Sequence, residues 1–245
     1  MKRFSIITVL LLTTLLASCG EDPFCNCLQS SGKISSEERA VEPFVTLEPF
    51  NNISVILHHS TNHFVRVNCP ENLMDGIETD VENGVLRIRN NNRCNWMRNP
   101  GNEFVVEVYS PEVQNIICRT VGDIVCRDTL RTRVFTAESW DGYGTIDLKL
   151  DCEETYLKIH TGPVDIIANG ISQYTYLYNT GNGYIRANGL SSNDAFVMSR
   201  STGDCYVNSR NSLKVKIEYQ GDIYYSGQPT SIEQDISGSG KLIAY

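Results

Sequence analysis

Gly203-Asp204-Cys205-Tyr206-Val207, Gly221-Asp222-Ile223-Tyr224-Tyr225 and Gly240-Lys241-Leu242-Ile243-Ala244 are three copies of one pattern. A glycine is followed by a polar residue, then by apolar residues two and four positions on. Read backwards along the chain, the pattern returns at Gly183, Gly162, Gly144 and Gly122, with intervals of 22, 18, 21, 20, 18 and 19 residues. Two residues after each glycine stand Ile124, Ile146, Val164, Ile185, Cys205, Ile223 and Leu242. Four residues after stand Cys126, Leu148, Ile166, Ala187, Val207, Tyr225 and Ala244. All are apolar in a chain whose apolar content is 41%, and the residues between them are mixed. Alternation with period two puts one strand face in a core. Its recurrence near twenty residues is the signature of a solenoid coil.

The expected fold is therefore all-β: a right-handed parallel β-helix of about seven coils of ~20 residues. An antiparallel β-sandwich, each unit a hairpin, is the alternative. It gives no reason for seven equivalent positions to match. Upstream, Ile53–Leu57, Phe64–Val67, Val85–Ile88 and Phe104–Val108 alternate as strands, Asn83-Gly84 marks a turn, and a short helical turn fits near Glu71–Gly76. The strands before each glycine are less regular: Val215 to Tyr219 alternates well, and Tyr174 to Tyr178 alternates in the other phase.

The N-terminus carries a different signal. Lys2 and Arg3 precede an apolar run from Phe4 to Leu16, too short for a membrane span. Leu16-Ala17-Ser18-Cys19 resembles a bacterial lipobox, in which cleavage before the cysteine exposes a thiol for acylation; an ordinary signal peptide is the alternative. The organisation expected is a signal peptide at 1–18, a lipidated tether at 19–43, an N-terminal β segment at 44–110 and solenoid repeats at 111–245. Net charge is −8, and loss of Lys2 and Arg3 with the leader leaves −10. Such a chain repels phosphate, which argues against nucleic acid and leaves the lipid to provide membrane contact. Export permits disulfides. Cys25 and Cys27 are candidates to pair with Cys94, while Cys126 and Cys205 read as small buried hydrophobes.

Short motifs in a specific order carry a resemblance. Pro49-Phe50-Asn51-Asn52-Ile53-Ser54-Val55, Glu71-Asn72-Leu73, Asn83-Gly84-Val85-Leu86-Arg87-Ile88, the serial Gly-Asp or Gly-Lys turns, Ile223 to Pro229 and Ser237 to Leu242 are similar to the putative auto-transporter adhesin, head GIN domain family, over roughly residues 44–245. The resemblance implies an exported Bacteroidetes-type protein, often a lipoprotein, with a β-helical fold and a role in adhesion. It carries over no catalytic residue. Trp140–Gly144 and Gly162-Pro163 depart from the family's turns.

Several residues are candidates for chemistry. In the alignment above, Asp147 and Asp165 share an outward position in successive coils, and so do Asp204 and Asp222. Carboxylates so placed can hold Ca²⁺, the one cofactor the sequence admits, or act on a glycosidic bond. Turn aspartates that cap backbone amides are the plainer reading. Tyr206 and Tyr224 share another outward position, with Tyr184 beside them, and form a candidate surface for sugar rings or a partner protein. His58, His59, His63 and His160 complete no metal motif, and no nucleophile elbow or phosphate loop occurs. The reading that follows is a non-enzymatic envelope lipoprotein, periplasmic or surface-exposed at the outer membrane. It displays an adhesin-like surface to a glycan or a surface protein, and the open last coil is a homodimer candidate. A β-helical carbohydrate-active enzyme and a structural or assembly component are the alternatives.

Overall fold

A computed structural model describes residues 30–93 and 103–245 of the chain. Cys19, Cys25, Cys27 and Cys94, and with them the lipidation and disulfide readings, lie outside the described residues. The chain winds as a parallel β-solenoid, and each coil has two runs. The first run stacks β3 (Ser54–His59), β9 (Ile124–Cys126), the leading halves of β11 (Thr145–Ile159), β12 (Asp165–Asn179), β13 (Ile185–Ser199) and β14 (Cys205–Ile217), then β15 (Ile223–Ser226) and β17 (Leu242–Ala244). The second run stacks β2 (Thr46–Asn51), β8 (Asn115–Thr120), β10 (Leu130–Ser139), the trailing halves of β11 to β14, and β16 (Ser231–Ile236). The coil-to-coil pairings are parallel, which excludes the hairpin sandwich.

One column of side chains shows why the sequence winds this way. Ile124, Ile146, Ile166, Ile185, Cys205, Ile223 and Leu242 pair in register, six full turns from first to last. All but Leu242 are wholly buried. Val55 and Val106 extend the column at its N-terminal end, so the segment at 44–110 supplies coils of the same stack. Burying each such side chain stabilises by roughly 1.5–3 kcal/mol against leaving it in water. In the 15-residue strands the buried phase switches midway: Ile146, Leu148, Leu150 and Cys152 face inward, then Thr155, Leu157 and Ile159. The slip of one residue is the corner between the two runs.

Two sequence expectations need correction. Val164 is not the row mate of Ile146; Ile166 is. The Gly162-Pro163 turn adds two residues there, and Gly162 packs against Gly142 instead of Gly144. Next, Ile34–Ala40, read as tether, is strand β1 and pairs antiparallel with β4 (Phe64–Pro70). Its partner is thirty residues away, and its own polar side chains hide the pairing. Tyr174, Tyr176 and Tyr178, in the opposite phase to the buried Val215 and Ile217, point outward while Thr175, Leu177 and Asn179 are buried.

The repeating glycines answer to crowding more than to turn geometry. A Cβ on Gly183, Gly203, Gly221 or Gly240 would overlap the carbonyl oxygen of the residue one coil back, respectively Val164, Gly183, Gly203 and Gly221. The backbones stack too closely at that corner for any side chain.

The two ends of the solenoid differ. At the N-terminal end β7 (Val105–Ser110) and β6 (Val85–Asn90) are covered by antiparallel strands: β4 and β1 on one run, β5 (Ile77–Glu82) on the other. A 3₁₀ turn at Glu71–Gly76 buries Leu73 and Met74 there. At the C-terminal end β16 and β17 have no strand on their outer side among the described residues.

Candidate functional site

Two outward faces carry aromatic side chains in rows. On the first run, Arg186, Tyr206, Tyr224 and Ile243 stand in register on successive coils. The Tyr206 and Tyr224 rings stack with centroids 4.8 Å apart and planes 9° from parallel. Tyr245 meets both edge-on at 6.0 and 6.2 Å. Tyr184 lies in the adjacent row under the Arg186 guanidinium, 4.7 Å from ring centroid to carbon. Burial, aided by the Asp204 carboxylate, holds the Tyr206 and Tyr224 hydroxyls above the ordinary tyrosine value. Tyr184, Tyr206 and Tyr224 are thus brought together, as their spacing implied, and Tyr245 joins them.

The aspartates do other work. Asp165 pairs with Thr145, and Asp147 pairs with Ile167, so the supposed Asp147–Asp165 neighbours stand two rows apart because of the extra residues at Gly162-Pro163. Asp204 and Asp222 are neighbours, but each Oδ1 accepts a backbone N–H from the next coil: Asp222 N at 2.9 Å and Lys241 N at 2.7 Å. Asp123 and Asp165 do the same for Thr145 N and Tyr184 N, and Asp165 also pairs with Arg186. This row is a series of stitches between coils. Among the described residues no three His, Cys, Asp or Glu side chains gather as metal ligands.

The second face is larger, and sequence reading missed it. Tyr156, Tyr176 and Phe196 stand in register on β11, β12 and β13, flanked by Tyr174 in one row and Tyr178 in another. Ring centroids are 6.0 Å apart for Tyr156 and Tyr176 and 5.3 Å for Tyr176 and Phe196. At the following corner Trp140 stacks on His160 at 3.9 Å, and His160 meets Tyr178 at 5.6 Å. Charges rim these rings. Glu138 receives Lys158 Nζ at 3.1 Å and His160 Nε2 at 3.0 Å, and these bonds outweigh its burial and keep its carboxyl below the ordinary value. Lys158 also lies 5.8 Å from the Tyr156 ring and Lys214 5.9 Å from Phe196. Tyr156 donates to Glu154 at 2.7 Å. The missed signal was the buried phase: with Thr175, Leu177 and Asn179 taken as inward, three tyrosines at alternate positions must face out.

Two hollows among the described residues are small. One flanked by His58, His59 and Arg131 holds about 190 Å³ and one beside Phe44 and His63 about 240 Å³, against the ~300–1,000 Å³ of typical small-molecule pockets. The prominent features are rows of aromatic rings on the outer faces of the stacked coils.

Residues 43–229 match the model of the family described as putative auto-transporter adhesin, head GIN domain. The chain belongs to that family. No curated protein matches it. Among solved structures, a putative adhesin from Bacteroides fragilis NCTC 9343 superposes with a TM-score of 0.81 at 23% identity, over 87% of this chain and 97% of its own. A putative adhesin from Parabacteroides distasonis ATCC 8503 gives 0.67 at 18% identity, over 87% and 98%. A protein from the same strain described as a putative lipid binding protein gives 0.64 at 17%, over 88% and 98%. At these identities the likeness shows the fold. No helix among the described residues is long and apolar enough to cross a membrane.

Proposed function

We propose that this family member is a non-enzymatic envelope lipoprotein, anchored through Cys19, whose solenoid displays the aromatic face of Tyr156, Tyr174, Tyr176, Tyr178 and Phe196 as a glycan-binding surface. The observation that carries the reading is that face: partly exposed rings in adjacent rows, rimmed by Glu138, Lys158, His160 and Lys214. Apolar ring faces take the C–H faces of sugars, and the rim supplies donors and acceptors for hydroxyls. A stacked β-sheet holds the rings in place before binding, which lowers the ordering cost. The commitment of Asp165, Asp204 and Asp222 to backbone amides favours recognition over hydrolysis.

The test is a glycan array probed with the chain from residue 20 onward. Binding lost in Tyr176→Ala and kept in Tyr224→Ala supports the second-run face. Loss in Tyr224→Ala alone moves the site to Tyr184, Tyr206 and Tyr224, and no binding in any variant or the parent overturns the glycan reading. Anchoring is tested separately: Cys19→Ala releases the protein from the membrane fraction, and unchanged partitioning overturns the lipoprotein reading.

A further inference from the structure

We propose that the free edge of β16 is a docking site for an extended, basic strand of a partner protein. This goes beyond the glycan reading and does not rest on the aromatic face. The edge is an unfinished layer of the core. Ile232, Gln234 and Ile236 continue the inward columns of the buried Leu213, Val215 and Ile217, yet Ile232 and Ile236 remain 43% and 40% exposed. The outer row of backbone N–H and C=O groups on β16 pairs with no strand among the described residues. An edge of this kind is a template for strand addition.

The edge lies far from the first described residues: Ser30, whose carbonyl accepts from Asn72, is at the opposite end of the solenoid.

A second copy is opposed by charge. The outward residues of β16 are Glu233 and Asp235. Antiparallel self-pairing centred on Gln234 sets these two against each other, and head-to-tail stacking of the second run sets them against Glu78, Asp80 and Glu82 of β5. Like charges directly opposite destabilise a sheet. The occupied side of β16 shows what the acidic row accepts. Lys214 stands opposite Glu233, with Nζ 2.8 Å from its carboxylate, and Lys216 stands opposite Asp235. A strand with Lys or Arg at alternate positions and apolar residues between them meets the same row from the open side.

The probe is a capped, fluorescein-labelled peptide that copies Ser212–Ile217, with its two lysines and alternate apolar residues. Its control carries glutamate at both lysine positions. Anisotropy titrations use the mature full chain. The copy is expected to bind at least tenfold tighter than the control, with the preference lost in the Glu233→Gln/Asp235→Asn double variant, which removes the acidic row without setting like charges against Lys214 and Lys216; circular dichroism checks that its fold is native. Equal binding of the two peptides, or a preference that survives the double variant, overturns the proposal. A concentration-dependent dimer that Ile232→Lys dissolves overturns it in favour of a second copy.

Discussion

The Asp204 carboxylate accepts a hydrogen bond from the Asp222 backbone N–H at 2.9 Å, and Asp222 accepts one from Lys241 N–H at 2.7 Å. Two successive coils are thus tied by the side chain of each turn and the amide of the next. Hydrogen bonds to a charged acceptor are worth more than neutral ones, less where water competes. Asp222→Ala is expected to lower stability by about 1 kcal/mol, and Asp222→Asn by less, since an amide oxygen still accepts. Urea titration reads both. With their Oδ1 atoms taken by amides, these carboxylates leave the melting temperature unchanged on EDTA addition. A fall that Asp222→Asn abolishes would return them to the role of cation ligands.

The glycine column gives a sharper contrast. A methyl group at Gly203 meets the Gly183 carbonyl, whereas at Gly84 it meets open space, and the cost there is a φ of 75° alone. Left-handed backbone costs a non-glycine residue about 1 kcal/mol. Forcing two stacked coils apart costs about 2 kcal/mol or more, as overpacking does elsewhere. Gly203→Ala is therefore expected to lower the urea midpoint more than Gly84→Ala. The reverse order would show that turn conformation, not coil spacing, selects these glycines.

Much of this was legible in the sequence for a definite reason. Inward columns such as Ile185–Cys205–Ile223 repeat at a fixed spacing from glycine, and a period-two pattern with one buried face has one reading. The outward rows were legible only where the register was undisturbed. Tyr206 and Tyr224 fell opposite each other because the 18-residue interval between Gly203 and Gly221 holds no extra turn residues. Asp147 and Asp165 did not, because the turn at Gly162-Pro163 is two residues longer. The aromatic face around Tyr176 stayed hidden for another reason. In β12 the inward positions are Thr175, Leu177 and Asn179 while the outward ones are tyrosines, so hydropathy points the wrong way. Some of the inward polar atoms find partners, as Asn179 Nδ2 donates to Gly183 O at 2.9 Å, while Asn179 Oδ1 and the Thr155 and Ser199 hydroxyls have none.

The cysteines test the core directly. Cys69, Cys118, Cys126, Cys152 and Cys205 are free and buried, and burial pushes Cys126 and Cys205 up to about 12 and Cys69 and Cys118 to about 11. The thiolate is the reactive species, and these groups neither ionise nor meet reagent in the folded chain. Iodoacetamide at pH 8, followed by peptide mass mapping, is expected to leave Cys118, Cys126 and Cys205 unmodified in native protein and to label them in guanidinium. Native labelling of Cys205 would mean that the coils open there on the timescale of the reaction.

Acid should weaken the N-terminal end through Glu107. Its carboxylate receives the Tyr109 hydroxyl at 2.6 Å, Arg66 Nη1 at 3.2 Å and Asn68 Nδ2 at 3.1 Å, with His58 Nε2 at 3.8 Å. The Tyr109 bond leads these in holding its carboxyl below the usual 4.5. A carboxyl whose folded pKa is depressed stabilises the fold fully above its unfolded pKa and loses that contribution as pH falls through the folded value. The group is partly exposed, so the contribution is about 1 kcal/mol. Glu107→Gln is expected to lower stability at pH 7 by about that amount and to unfold with a flatter acid limb. The gap between parent and variant should narrow as pH falls from the ordinary carboxylate range through the depressed folded value. Urea midpoints from pH 3 to 7 read this directly, and a gap that stays unchanged down to pH 3 would assign the loss to packing of the Tyr109, Phe64 and His58 rings, which stack around the same carboxylate.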